Sequence, residues 1–216
     1  MADRLRLYFP VRPSVINQHF GESKPCVVDF GLPTQKVIAS NPDNTCPVGS
    51  DKLYPHFGMT GHNGTDIAAG EQRIYAACAG LVIEKQTVPS RGFGLGVLTD
   101  EPVFLDAFGT HFAKLRYWHL KSFNVEVGQH VKEGDILGIT DNTGYSSADH
   151  LHFELDPMDK DAGGHPFYVN PPGSIASSVD AEPFFCGIYA DVVQQEIGLW
   201  QKIVTAITNW IAAHKP

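Results

Sequence analysis

LVIEKQTV (81–88), GLGVLTD (94–100), FAKLRYWHL (112–120) and DILGIT (135–140) follow one another between Ile74 and Ile139, each β-prone and set off by glycine or polar turns. Short runs at this spacing, with no helical period, build antiparallel sheet. Downstream, HLHFEL (150–155) alternates in the same way and reads as a further strand. At the start, Leu5, Leu7 and Phe9 alternate with polar residues and meet Pro10, a short strand ending in a turn. With 21 Gly and 15 Pro in 216 residues, punctuation is too frequent for an all-helical fold. The expected class is therefore mainly β, an antiparallel sheet with long surface loops.

Two excursions leave this sheet. Residues 32–58, containing NPDNTCPVGSD, and residues 156–173, DPMDKDAGGHPFYVNPPG, are turn-rich. The spacing of Asp156, Asp159 and Asp161 misses the alternate-position pattern of a calcium loop. The last 30 residues change period: Val193, Ile197, Trp200, Val204, Ile207 and Ile211 recur at steps of four and three, a helical stripe opposed by Gln195, Lys202 and Asn209. The expected layout is a catalytic domain over 1–180 and a C-terminal amphipathic helical extension over 181–216. The plain expectation packs that helix on its own domain, with contact to another protein or a membrane surface as the alternative.

A chain of this length holds one ordinary core. A formal charge of −8 gives no broad cationic surface, which argues against nucleic acid and anionic membrane as long-range partners. Cys26, Cys46, Cys78 and Cys186 form no CxxC pair; buried free thiols are the default expectation, with a Cys26–Cys46 bridge plausible in an oxidising compartment. MADRLRLYFP lacks the apolar run of a secretory signal, and no stretch of 18 apolar residues is present. Action outside the cell would then depend on lysis, packaging in a particle, or a leader removed beforehand.

Of ten histidines, two clusters carry chemistry: His62-Asn63-Gly64-Thr65-Asp66 and His150-Leu151-His152. On a strand, residues two apart share a face at roughly 6.7 Å, so His150 and His152 address one site. One ring can then bind a metal while its neighbour reaches a water or a substrate atom. His62 and Asp66 would lie roughly 13 Å apart on a straight strand, too far for common ligation, so the chain must bend. Gly64 is the expected hinge, a helical turn being the less suitable alternative. With His152 the set is two imidazoles and one carboxylate, leaving the fourth tetrahedral corner to water as in catalytic zinc sites. Such an ion lowers the pKa of bound water to about 7 and polarises a carbonyl. Proton transfer and oxyanion stabilisation then call for histidines near neutral pKa, for which His119 and His150 are the candidates.

These residues resemble the lysostaphin-like metallopeptidases, the M23 peptidases or LytM-type domains, over roughly residues 14–172. Four ordered motifs carry the resemblance: GHNGTDIAAG (61–70), Tyr117-Trp118-His119-Leu120, the glycine-patterned Val125 to Gly138, and TGYSSADHLHFEL (143–155). The resemblance implies one zinc ion on His62, Asp66 and His152, with His119 and His150 catalytic. It also implies an antiparallel β fold whose groove takes an extended peptidoglycan peptide, either a stem peptide or a cross-bridge. The activity implied is that of a zinc metallo-endopeptidase using a zinc-activated water, in a cell-wall setting such as a phage lysin or a virion-associated enzyme. Where family members often read STGPHLHFE, this chain has Ser147-Ala148-Asp149 before His150, which puts peptide preference in doubt.

Two other classes compete. VEVGQHVKEGDILGI (125–139) resembles the hairpin of biotinyl and lipoyl carriers, but Thr140-Asp141-Asn142-Thr143-Gly144 supplies no acceptor lysine. A catalytically silent scaffold that binds wall or partner proteins is the second; such members commonly lose metal ligands, whereas the set is complete here.

Overall fold

The two longest strands, Thr110–Phe123 and His150–Lys160, form the middle of an eleven-stranded sheet. The computed structural model describes residues 2–12, 14–28, 36–56, 58–170, 177–188 and 201–210. Across the sheet the order is His130–Val131, Gly80–Gln86, Phe93–Leu98, Thr110–Phe123, His150–Lys160, Thr65–Ala68 and Ile16–Gln18, every neighbouring pair antiparallel. The mainly β, antiparallel expectation holds, and the four runs of the central segment are each strands.

Register gives the central pair two unlike faces. Leu115 opposes Leu155 and Tyr117 opposes Phe153, and with Leu151 and Ile67 these side chains are completely buried in the core. Each such burial stabilises by about 1.5–3 kcal/mol. The alternate positions carry the other face: Lys114 opposes Asp156, Arg116 opposes Glu154, and Trp118 opposes His152. The buried Tyr117 hydroxyl accepts a hydrogen bond from the Ala77 N–H at 2.9 Å. Leu5, Leu7 and Val11 from the N-terminal segment join the same core, as do Val179, Ala181 and Phe184.

The N-terminal strand Leu7–Phe9 pairs in parallel with Phe185–Ile188, with the Phe9 and Phe185 rings stacked at 4.1 Å. The region read as the first excursion holds structure of its own: Cys26–Val28, Lys36–Ile38 and Asp51–Lys52 form a three-stranded sheet, followed by the short helix Leu53–His56. Its small core is Val27, Val37, Leu53 and Tyr54, packed against Met59 and Tyr145.

Three expectations need correction. Cys26 and Cys46 are joined by a disulfide rather than free, and Cys186 is exposed; only Cys78 is a buried free thiol. The bridge, with a sequence separation of 20, staples a polar, turn-rich loop to a sheet with little core, and closing such a loop contributes about 2–4 kcal/mol. The excursion at 156–173 begins as strand, because His150–Lys160 runs on through Asp156 and turns back into Pro166–Tyr168. Residues 201–210 are helical, but all ten are exposed, including Val204 and Ile207 of the expected stripe. Packing of this helix on the domain is therefore not met over those residues. Val193, Ile197, Trp200 and Ile211 lie outside the described residues. No helix among the described residues is long and apolar enough to cross a membrane.

Candidate metal centre

Asp66 and His152 face each other across the ladder between Thr65–Ala68 and His150–Lys160. His62 enters from the bend just before Thr65, fixed by backbone hydrogen bonds from its N–H to Glu22 O (2.9 Å) and from Gly21 N–H to its own carbonyl (2.8 Å). Around Asp66 Oδ1 lie His152 Nδ1 at 2.9 Å, His62 Nε2 at 3.1 Å and His150 Nε2 at 3.4 Å. His62 Nε2 and His152 Nδ1 are 2.7 Å apart. One ligand atom from each of His62, Asp66 and His152 falls within 4.8 Å of the others.

Gly64 is needed here for space, not as a hinge. Its φ is not positive, and a Cβ would stand 2.5 Å from Phe153 O and 2.8 Å from His152 Cε1. The bend brings the backbone of Gly64 directly against the imidazole that Asp66 faces, an approach only glycine permits.

His119 reaches the site by a different device. Simple alternation would send it to the core face with Leu115 and Tyr117. The register of Thr110–Phe123 shifts between Trp118 and Leu120 against Phe93–Leu98, however, and His119 has φ 64°. This β-bulge re-aims the ring to the face of His152. Its centroid lies 4.6 Å from that of His150 and 5.9 Å from that of His152.

Each of the four rings has its outer nitrogen engaged. His62 Nδ1–H donates to His19 O (3.3 Å), His119 Nδ1–H to Thr143 O (2.7 Å), His150 Nδ1–H to Ala148 O (2.8 Å), and His152 Nε2–H to Glu154 Oε1 (3.0 Å). These partners accept hydrogen bonds, so in a neutral ring they fix the tautomer and leave the inner nitrogen with a lone pair, while a protonated His62, His150 or His152 donates from that nitrogen to Asp66 instead. With the rings neutral, His62 Nε2, His152 Nδ1 and Asp66 Oδ1 aim lone pairs at one point, a donor set suited to a divalent cation. Tetrahedral bonds of about 2.0–2.2 Å set donors roughly 3.3–3.6 Å apart, so on binding an ion the His62 and His152 nitrogens would move apart by about 0.6–0.9 Å.

The electrostatics agree. Burial pushes the Asp66 carboxyl up, but His62 and the hydrogen bonds from His150 and His152 outweigh it and hold it well below the usual range. Burial lowers His152, yet Asp66 and Glu154 on either side raise it to about 9. A cation at the convergence would answer the same field. His119 is pushed down to about 3 by burial, with His150 and His152 adding to the effect.

The centre lies in the wall of a cavity of about 580 Å³, which Tyr54, Asn63, Trp118, His119 and Tyr145 also line. One side is the small sheet and its helix; the other is the 143–149 loop. Residues 60–163 match the peptidase family M23. This segment is a peptidase family M23 domain.

Over 38 residues, 18% of this chain and 10% of the relative, the chain is 58% identical to the glycyl-glycine endopeptidase ALE-1 of Staphylococcus capitis. Over 95 residues, 44% of this chain and 20% of the relative, it is 33% identical to the peptidoglycan DD-endopeptidase ShyA of Vibrio cholerae serotype O1. It therefore spans only a small part of these curated relatives. Among solved structures, the SpoIIQ–SpoIIIAH pore-forming complex aligns with a TM-score of 0.51 at 16% identity, covering 85% of this chain and 92% of that one, a likeness of fold alone.

Behind this centre lies a buried charged ladder that none of the four motifs announces. Glu154 accepts from Arg116 Nη1 (2.7 Å) and Asn63 Nδ2 (2.8 Å) as well as from His152. The signal was available: Glu154 is the next same-face position after His150 and His152. Two residues further, Asp156 is buried; Oδ1 accepts from the Ser178 hydroxyl at 2.8 Å while Oδ2 has no hydrogen-bond partner among the described residues. Burial, with Glu154 beside it, raises Asp156 to about 7. A carboxyl raised on folding binds its proton more tightly in the native state, so its contribution is greatest at low pH and is lost as pH climbs from about 4 through 7. Asp156→Asn removes that titration. Between pH 5 and pH 8 the wild type should lose about 2 kcal/mol relative to the variant, measured by urea unfolding at each pH. Parallel stability curves for the two proteins would contradict the assignment.

Proposed function

We propose that this chain is a zinc metallo-endopeptidase that hydrolyses peptide bonds in bacterial peptidoglycan. The observation that carries this is the convergence of His62 Nε2, Asp66 Oδ1 and His152 Nδ1 at one point in the cavity wall, beside two further imidazoles. A scaffold without chemistry has no need of four oriented histidines. Zinc at that point would supply a Lewis acid for the scissile carbonyl and an acidified water. The domain layout expected from sequence, a catalytic unit over 1–180 followed by an extension, belongs to the same proposal.

The chain's own groups handle binding and protons. The cavity takes an extended peptide between the small sheet and the 143–149 loop, and its aromatic lining excludes water. His119 and His150 both spend Nδ1–H on backbone carbonyls, so each works through Nε2. The two roles, proton transfer and oxyanion stabilisation, belong to this pair and are exchangeable between them. Burial holds His119 neutral but also makes it a weak proton acceptor, whereas at His150 burial is outweighed by Asp66, which raises it, so His150 is the better placed of the two to take and return a proton.

Elemental analysis should find one zinc per chain. The loaded protein should release peptide-cleaved fragments from purified sacculi, read by mass spectrometry, and chelation should abolish release. His119→Ala should keep the metal and lose about 10²–10⁴-fold in rate. Loss of the metal in that variant would overturn its role, and equal digestion by chelated and loaded protein would overturn the function.

A further inference from the structure

Charged side chains on the cavity wall divide into two groups. Lys24 is neutralised by Glu22 at 2.7 Å, and Glu154 by Arg116. Arg91 and Asp149 line the same cavity, are exposed, and have no side-chain hydrogen bond or ion pair among the described residues. They belong to adjoining elements. Arg91 ends the 3-10 turn Pro89–Arg91, and Asp149 closes the loop leading into His150.

The two elements are locked together by backbone. Gly92 (φ 88°) and Gly144 (φ 79°) are in such close approach that a Cβ on Gly144 would collide with the Gly92 backbone and with Arg91 C, and one on Gly92 would meet Thr143 O at 2.8 Å. Thr143 is tied in turn: its hydroxyl accepts from Phe93 N–H (3.0 Å) and donates to Leu120 O (2.8 Å), and its carbonyl holds His119. The wall that presents Arg91 is therefore braced against the bulge that aims His119. An unpaired guanidinium on a braced backbone and an unpaired carboxylate beside a peptide groove are complementary to a ligand bearing one free carboxylate and one free amine.

We infer that Arg91 and Asp149 select the peptide: the substrate carries a free carboxylate and a free amine near the scissile bond, as in stem peptides built around a diamino acid, rather than an uncharged run of glycines. This rests on the endopeptidase function proposed above and names its substrate class. It also gives a use to Asp149, one of the three positions where the motif departs from its usual form. The two similar enzymes act on chemically different bonds, a glycyl-glycine link and a DD-link, and the charged wall places this chain with peptides that have side-chain charges.

The test uses the zinc-loaded chain and four synthetic peptides: a cross-linked stem peptide with free carboxylate and amine on its diamino acid, the same peptide amidated, the same peptide acetylated, and an oligoglycine. In the wild type, amidation and acetylation should each raise KM about two- to fivefold with kcat within about 1.5-fold, the scale of an exposed charge pair. Arg91→Gln should erase the penalty for amidation only, and Asp149→Asn the penalty for acetylation only. A wild type indifferent to both modifications, a preference for oligoglycine, or variants that keep full discrimination would each overturn the inference. Should none of the four be cleaved, the endopeptidase function fails separately. Calorimetric binding of the same peptides to the same variants then decides the charge pairing, with equal affinities counting against it.

Discussion

Asp66→Ala should leave a folded protein that no longer retains zinc through dialysis and hydrolyses wall peptides on the order of 10³-fold more slowly, or worse. The expectation follows from position. Asp66 Oδ1 is the atom around which His62, His150 and His152 gather within 3.4 Å, and it is the sole carboxylate among the three converging donors. Without it, two imidazoles remain to hold a divalent ion and no anionic ligand offsets its charge. Stability gives a readout independent of turnover. An ion that binds only the native state at 100 times its Kd adds about 2.7 kcal/mol to unfolding. Added zinc should therefore raise the midpoint of wild-type unfolding and leave the Asp66→Ala midpoint unmoved. A variant that still gained stability from zinc would show that the ion is held elsewhere, and with it the ligand set would fall.

How far the sequence could be read depended on whether the deciding contact was local. HLHFEL was legible because strand alternation alone places His150 and His152 on one face, and the core positions Leu151, Phe153 and Leu155 on the other. GHNGTD was legible as a bend, but not the cause of Gly64: the collision a side chain would suffer is with His152, 88 positions away, so nothing local revealed it. His119 was grouped with the others by motif, and its ring does lie beside theirs, while alternation would have turned it into the core; a single residue at positive φ reverses its direction, and bulges of that kind depend on the partner strands. The small sheet beside the centre was hidden for a related reason. Its strands are two or three residues long, too short for an alternation to show, and the disulfide ties the first of them to a loop at Cys46. The helical stripe at the C-terminus shows the converse limit: period identified a helix at 201–210, but period cannot say what covers its apolar side, and Val204 and Ile207 are exposed.

Glu154→Ala should produce the largest loss of stability, about 3–5 kcal/mol, because it strands the Arg116 guanidinium in the interior. Burial alone would raise the Glu154 carboxyl; Arg116 and His152 outweigh it and hold it down at about 2, so it is an ionised, fully partnered group. The same substitution should weaken zinc binding about 10–100-fold by freeing His152 Nε2–H, whose bond to Glu154 Oε1 fixes the tautomer that turns Nδ1 toward Asp66. Stability and affinity must be separated, since a loosened fold could weaken any site. Arg116→Met does this. It breaks the same buried ion pair from the other side and should cost comparable stability, yet it leaves the hydrogen bond from His152 to Glu154 in place. Zinc affinity in Arg116→Met should stay near wild type while that of Glu154→Ala falls. If both variants lose affinity alike, the ion depends on the integrity of the sheet and not on the orientation Glu154 gives its imidazole ligand.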